Sequence, residues 1–285
     1  MKTITAYKTA TLEVPGANLY YEVRGSGPVL LMMPGGPADA TTFRKIEDRL
    51  GTKYTVVTYD PRNLSHSTLD EPLDDSRMVK TFADDVHRLL AHLGDAKASV
   101  FASSGGAVIA MDLIKRHPEQ LDTVVLHEPP APDFLADTAG SRAAMSHVCD
   151  TCASQGVWAA AGEFMNLVGI QGGPPPAGDR AKPTPEQLEA MAMMQHNIEF
   201  FFGRYIRNIA NYRVDVGAIK ACSCKVVAAV GADSTGQLAH NGGLGLAKQL
   251  GVEPAVFPGD HGGFDGRPEE FAARLLDVLE ERPSV

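Results

Sequence analysis

Residues 99–113, SVFASSGGAVIAMDL, pass from an apolar, β-branched run through two serines and two glycines into an apolar pattern of helical period. A sharp turn of this kind between strand and helix lifts one side chain clear of a sheet, and its crowded backbone needs small neighbours. The frame is Ala102-Ser103-Ser104-Gly105-Gly106, one alanine away from G-x-S-x-G. Ser104 fits the raised position, because choosing Ser103 would put Phe101 where a small residue is needed. The free N–H groups and dipole at the start of the following helix favour developing negative charge. The alternative is a tight turn whose serines cap the helix. Partners elsewhere in the chain decide between the two.

On either side of this turn, strand and helix patterns alternate. NLYYEVRG alternates and ends at glycine, as an edge hairpin would, while PVLLMMPGG is a continuous apolar run that suits a strand buried on both faces. ATTFRKIEDRL is helical, YTVVTYD a strand, MVKTFADDVHRLLAHLG an amphipathic helix ending at Gly94, and SVFAS a strand. GAVIAMDLIKRHP is a helix stopped by Pro118, and LDTVVLHEPP a strand stopped by prolines. From about residue 131 to 216 the pattern is helical, with a Pro/Gly-rich loop, GGPPPAGDRAKPTP, in its middle. CKVVAAVGADS, a helix near Leu244–Leu250, EPAVFPGDHGG and PEEFAARLLDVLEE then resume the alternation. Such βα units build a parallel sheet with helices on both faces. The expected domains are a core of residues 1–130 and 217–285 and a helical insertion of 131–216.

The chain has 285 residues, 44% hydrophobic and 21% charged, a globular composition with room for a sizeable core. A net charge of −9 argues against nucleic acid and against anionic membrane surfaces as partners. The opening MKTITAYKTATLEVPG has no apolar run of signal-peptide length, and no segment approaches the roughly 18 apolar residues of a membrane span. The cysteines form two close pairs, Cys149/Cys152 and Cys222/Cys224. They are too sparse for a disulfide scaffold, so free thiols in a reducing, cytoplasmic setting are expected. His147 with the first pair reads H-x-C-x-x-C, but no fourth ligand stands at a spacing that would complete a zinc site. Nothing calls for a metal or an organic cofactor. A small molecule is the expected partner, and a homodimer is left open.

A nucleophilic serine needs a base and an acid later in the chain. His261, in FPGDHGGF, lies in a glycine-rich loop between the last strand and the last helix, where a base can reach over the sheet's C-terminal edge. Two carboxylates compete to orient it. Asp233 follows the strand after the insertion, and Glu128 ends the strand after the serine's helix. Either could hold the imidazole and stabilise its charged form.

Together these residues resemble the α/β-hydrolase superfamily over essentially the whole chain. MMPGGP resembles its oxyanion loop, with Pro34 in place of the usual histidine. YDPRNLSHST resembles its D-x-R-G-x-S-x-S turn, with Asn63 where glycine is usual; Asn is the next residue type to tolerate positive φ. The resemblance implies a mostly parallel sheet of about eight strands flanked by helices, with a helical cap after the sixth strand. It also implies an oxyanion hole formed by the N–H groups of Gly36 and Gly105. A narrower likeness is to lactone hydrolases that open the mycotoxin zearalenone, in the ASSGG elbow and the HEPP segment. That likeness implies Glu128 as the acid in preference to Asp233.

The expected chemistry is acyl transfer from an ester or lactone of an apolar small molecule to water, zearalenone-like macrocycles included. Serine at the elbow disfavours the haloalkane dehalogenases and epoxide hydrolases, which use aspartate there. Carbon–carbon bond hydrolysis, polyketide thioesterase or cyclase activity, and ligand binding without turnover are the alternatives. Trp158, Met194 and Phe201 in the insertion, and Phe264 beside His261, are the candidates to line an apolar pocket.

Overall fold

The central strands are apolar at successive positions because both of their faces are covered. In the computed structural model, which describes residues 7–94, 96–169 and 183–281, the strands are β1 (Lys8–Val14), β2 (Ala17–Gly25), β3 (Val29–Met33), β4 (Thr55–Tyr59), the two-residue β5 (Thr68–Leu69), β6 (Ala98–Ser103), β7 (Leu121–His127), β8 (Lys225–Gly231) and β9 (Ala255–Phe257). The sheet order is β1-β2-β4-β3-β6-β7-β8-β9, with β5 paired to β2. Every pairing from β4 across to β9 is parallel, and the β1, β2 and β5 pairings are antiparallel. The sheet is therefore the expected mostly parallel one, with the short β5 as a ninth strand.

The helices are α1 (Arg44–Leu50), α2 (Met78–Leu93), α3 (Gly105–Arg116), α4 (Thr138–Gln155), α5 (Val157–Val168), α6 (Pro185–Phe200), α7 (Ile206–Asn211), α8 (Val216–Ala221), α9 (Leu238–Leu250), α10 (Gly263–Gly266) and α11 (Pro268–Glu280). Successive strand side chains point to opposite faces. Leu31, Met33, Val57, Val100, Ala102, Val124 and Leu126 accordingly pack with α2 and α3. Their neighbours Leu30, Met32, Val56, Phe101 and Val125 pack with α1 and α11. Parallel strands leave their C-terminal ends on one edge of this sandwich, and the loops after β3, β6, β7, β8 and β9 meet there.

Between β7 and β8 the described residues contain helices and no strand, with a π-helical turn at Phe201–Tyr205 joining α6 to α7. Most of the proline-rich loop expected in this segment falls on residues 170–182, which lie outside the described residues. α8 begins at Val216, the last residue of the expected insertion, and its Ile219 belongs to the same core as α2 and α3.

One strand is added to the expected set and one expectation is corrected. The hairpin partner of NLYYEVRG lies upstream of it, as β1, whose KTATLEV is exposed along most of its length and so carries no buried stripe to reveal it. Cys222 and Cys224 are joined as a disulfide (S–S 2.11 Å) instead of standing as free thiols. The chain between α8 and β8 sets their Cα atoms 5.3 Å apart, within the span that such a bond bridges. Cys149 and Cys152 carry free thiols on α4. Among the described residues no helix is long and apolar enough to cross a membrane.

Phe101 is fully buried on the α1/α11 face, with its ring edge-on to Phe43 and Phe271 at centroid distances of 5.7 and 5.6 Å. Truncating a packed phenylalanine removes its transfer energy and leaves a cavity. The Phe101→Ala variant should lose about 3–5 kcal/mol of unfolding free energy in urea titration. A loss under about 1 kcal/mol would show that this face repacks freely.

Candidate active site

β6 ends at Ser103, and the chain turns at Ser104 with φ 56° and ψ −128°, a backbone state costly for any residue with a Cβ. The turn is held from both sides. Ser104 N–H donates to His127 O at 2.9 Å, and Ala107 N–H donates to Ser104 O at 3.0 Å. A Cβ on Gly106 would lie 2.5 Å from Pro34 O, and one on Gly35 would lie 2.7 Å from Gly105 N. The elbow and the loop after β3 thus pack backbone to backbone, which only glycines allow. Ser103 and Gly105 are buried while Ser104 is half-exposed, so of the two serines Ser104 is the one that opens outward. Gly105 is the first residue of α3, so its N–H has no acceptor within the helix.

Glu128 follows the last residue of β7, again at positive φ (49°), with 0% of its surface exposed. Gly231 N–H donates to its Oε1 at 2.9 Å, Ser234 Oγ donates to the same oxygen, and His261 Nδ1 lies 2.6 Å from Oε2. Burial works to raise this carboxyl, but the His261 hydrogen bond, the adjacent imidazoles and the Ser234 hydroxyl outweigh it and hold it at about 2. An ionised carboxylate only accepts hydrogen bonds, so His261 Nδ1 carries the proton of this one. His240, also buried, places Nδ1 3.1 Å from Ser234 Oγ and 3.5 Å from Glu128 Oε1.

Asp233, the competing acid, is exposed and pairs with Arg267 at 3.0 Å. His127 is fully buried behind the site. Its ring stacks on that of His261 at a centroid distance of 6.0 Å, and its Nδ1 is 3.3 Å from Ser103 Oγ. Its Nε2 has no hydrogen-bond partner among the described residues. His127, Glu128 and His261 are also the one described group whose ligand atoms lie close enough together, within 4.8 Å, to hold a metal ion. In the present geometry Glu128 is committed to the three donors named above.

Ser104, Gly105, Gly36 and His261 line one cavity of about 350 Å³. Its walls are Phe43 and Phe264 from the core side and Phe164, Phe201, Phe202 and Tyr205 from the helical segment. No Lys, Arg, Asp or Glu side chain is among the described lining residues. Of the four sequence candidates for this lining, Phe201 and Phe264 are in it. Trp158 and Met194 are not, and they stand 71% and 46% exposed. α5 turns Ala160, Phe164 and Val168 inward and Trp158 outward, while α6 is buried only towards its C-terminal end.

That end carries Asn197, which sequence reasoning missed. Fully buried, it donates to Pro37 O at 3.1 Å and to Ser65 Oγ at 2.9 Å, and accepts from Ser65 N–H at 2.9 Å. It ties α6 to the loop that carries Gly36. Ser234 and Tyr205 were missed as well, since an isolated serine or tyrosine carries no spacing that marks it.

Comparison with known proteins agrees with this architecture. The chain belongs to the α/β-hydrolase fold family, whose model matches residues 28–148. An uncharacterized hydrolase, YraK, of Bacillus subtilis is 36% identical over 279 residues, covering 95% of this chain and 96% of its own. A zearalenone hydrolase of Cladophialophora bantiana is 30% identical over 125 residues, which is 43% of this chain and 47% of that protein. Among solved structures, a thermophilic esterase from Thermogutta terrifontis superposes with a TM-score of 0.70 at 18% identity, over 96% of this chain and 98% of its own. That last likeness is one of fold.

The buried imidazole of His127 gives the site a pH signature. Burial holds it at about 4, against 6.5 in the unfolded chain. Between those values the unfolded chain binds a proton that the folded chain refuses, so stability is complete above about pH 6.5 and declines towards 4. Glu128 adds a second loss between about 4.5 and 2. The Tm should fall as pH drops from about 7 to 4.5. In His127→Phe, which fits among Phe101, Phe257 and Phe271, the decline should be shallower. Parallel pH profiles of Tm would remove His127 from the account.

Proposed function

We propose that this protein is a serine hydrolase that cleaves an ester or lactone of an uncharged, apolar small molecule through an acyl-enzyme. The observation that carries the reading is the 2.6 Å hydrogen bond between His261 Nδ1 and the buried carboxylate of Glu128, with His261 and Ser104 lining the same cavity. In this reading Ser104 Oγ attacks the substrate carbonyl as His261 Nε2 takes its proton. Glu128 keeps the imidazole in the tautomer that can accept that proton, and it stabilises the imidazolium that results. The N–H groups of Gly36 and Gly105 bind the oxyanion, each such donor being worth about 2.7–4 kcal/mol in the transition state. His261 returns the proton to the leaving alkoxide, then deprotonates the water that releases the acid. In this reading the helical segment between β7 and β8 acts as a cap over the acyl-enzyme.

Substrate class follows from the walls. A cavity lined by aromatic and aliphatic side chains without a fixed charge desolvates neutral groups at little cost and carboxylates or ammonium groups at a high one. The relative named for zearalenone hydrolysis supports lactones, with a macrocycle of that kind as one candidate.

The test is turnover of p-nitrophenyl butyrate and of zearalenone by the wild type and three variants. Ser104→Ala should lose about 10⁶-fold in kcat and Glu128→Gln about 10⁴-fold, while Asp233→Asn keeps the wild-type rate. Turnover that survives Ser104→Ala would sink the reading. A loss in Asp233→Asn equal to that in Glu128→Gln would move the acid.

A further inference from the structure

Gly105 has a neighbour that the proposed reaction does not yet use. A Cβ at this position would lie 2.6 Å from Tyr205 Oη, 2.8 Å from Cε1 and 3.1 Å from Cζ. The phenol therefore fills the space that a side chain following the nucleophile would occupy, and glycine is required there to admit it. Bonds of about 1.5 Å around Cα place Oη within about 5 Å of Gly105 N. An oxygen at hydrogen-bond length from that N–H is then within reach of the phenol.

Tyr205 is only 3% exposed, yet it lines the cavity. Tyr20, Tyr21 and Tyr212 commit their hydroxyls to Glu22, His92 and Asp112. Among the described residues the Tyr205 hydroxyl has no such partner. Its ring is held by Phe82, Phe200 and Phe201, at centroid distances of 6.2, 6.4 and 5.9 Å. The turn that delivers it is π-helical, with Ile206 N–H bonded to Phe201 O, a rare winding that recurs at functional sites. Burial keeps the phenol well above its ordinary value, so it stays protonated and able to donate at any working pH.

Resting on the serine-hydrolase reading, we propose that Tyr205 is a further catalytic residue, whose hydroxyl donates a third hydrogen bond to the oxyanion beside Gly105 N–H. The helical segment then completes the oxyanion hole as well as covering the site. A fixed, dry donor aimed where charge develops stabilises the transition state without reorganising.

The experiment compares Tyr205→Phe, which keeps the ring and removes one oxygen, with the wild type and Ser104→Ala. Three quantities are read: p-nitrophenyl butyrate kinetics, the rate of covalent labelling by diethyl p-nitrophenyl phosphate, and Tm. Tyr205→Phe should lose about 10²-fold in kcat with KM little changed, and labelling should slow in parallel. Its Tm should hold, because no protein hydrogen bond is lost. A wild-type rate in Tyr205→Phe, with Ser104→Ala inactive and unlabelled, would overturn this assignment and leave the serine hydrolase standing. A loss confined to KM, or one that travels with a lowered Tm, would make Tyr205 a packing residue and also overturn it. A wild type that neither turns over the ester nor takes the label would bring down both proposals together.

Discussion

The hydrogen bond between the Glu128 carboxylate and the His261 imidazole is the contact that its surroundings are arranged to hold. A charge with no exposed surface is tolerable only when every oxygen is matched, and removing one partner of such a group destabilises far more than the contact itself contributes. Two segments distant in sequence from Glu128 supply the match: the end of β8, with Gly231 and Ser234 just beyond it, and the loop after β9, with His261. Parallel pairing makes this convergence cheap. β7 and β8 are adjacent, Glu128 N–H donates to Ala229 O at 2.9 Å, and the loops after both strands open on the same edge.

The second constraint is crowding at that edge. Ser104 and Glu128 both hold positive φ, and each pays in backbone strain for a direction that relaxed backbone would not give it. Gly35, Gly105 and Gly106 let the loop after β3 and one phenol close around the elbow. Asn197 then ties α6 to the loop of Gly36, so the aromatic wall and the proposed oxyanion hole belong to one connected body. A substitution at Asn197 can in this way shift the loop of Gly36 without itself lining the cavity.

Much of this was legible in the sequence. Apolar runs of strand length alternating with amphipathic helices required a covered parallel sheet, and the strands show that two-sided burial residue by residue. Asn63, placed by motif where glycine is usual, has φ 66°. β1 was missed because it has almost no buried face. The two acids were indistinguishable locally, since both end a strand next to turn residues. Their fates differ because Glu128 turns inward under three donors while Asp233 turns outward to Arg267. Trp158 and Met194 have the right chemistry for a pocket, but helical phase puts Trp158 on the outer face of α5 and Met194 on the exposed part of α6.

Periodicity and small-residue motifs are local properties, imposed by the pleat, the helical turn and the steric limits of one tight bend. They were enough to define the sheet, the elbow at Ser104 and the loop of His261. Which carboxylate meets the imidazole, which aromatics wall the cavity, and that a tyrosine from a π-helical turn leans over Gly105 depend on where segments a hundred residues apart come to rest. Those outcomes were left to the tertiary structure, because side-chain direction at a strand's end and helical phase over a pocket are set by packing against partners that no local stretch contains.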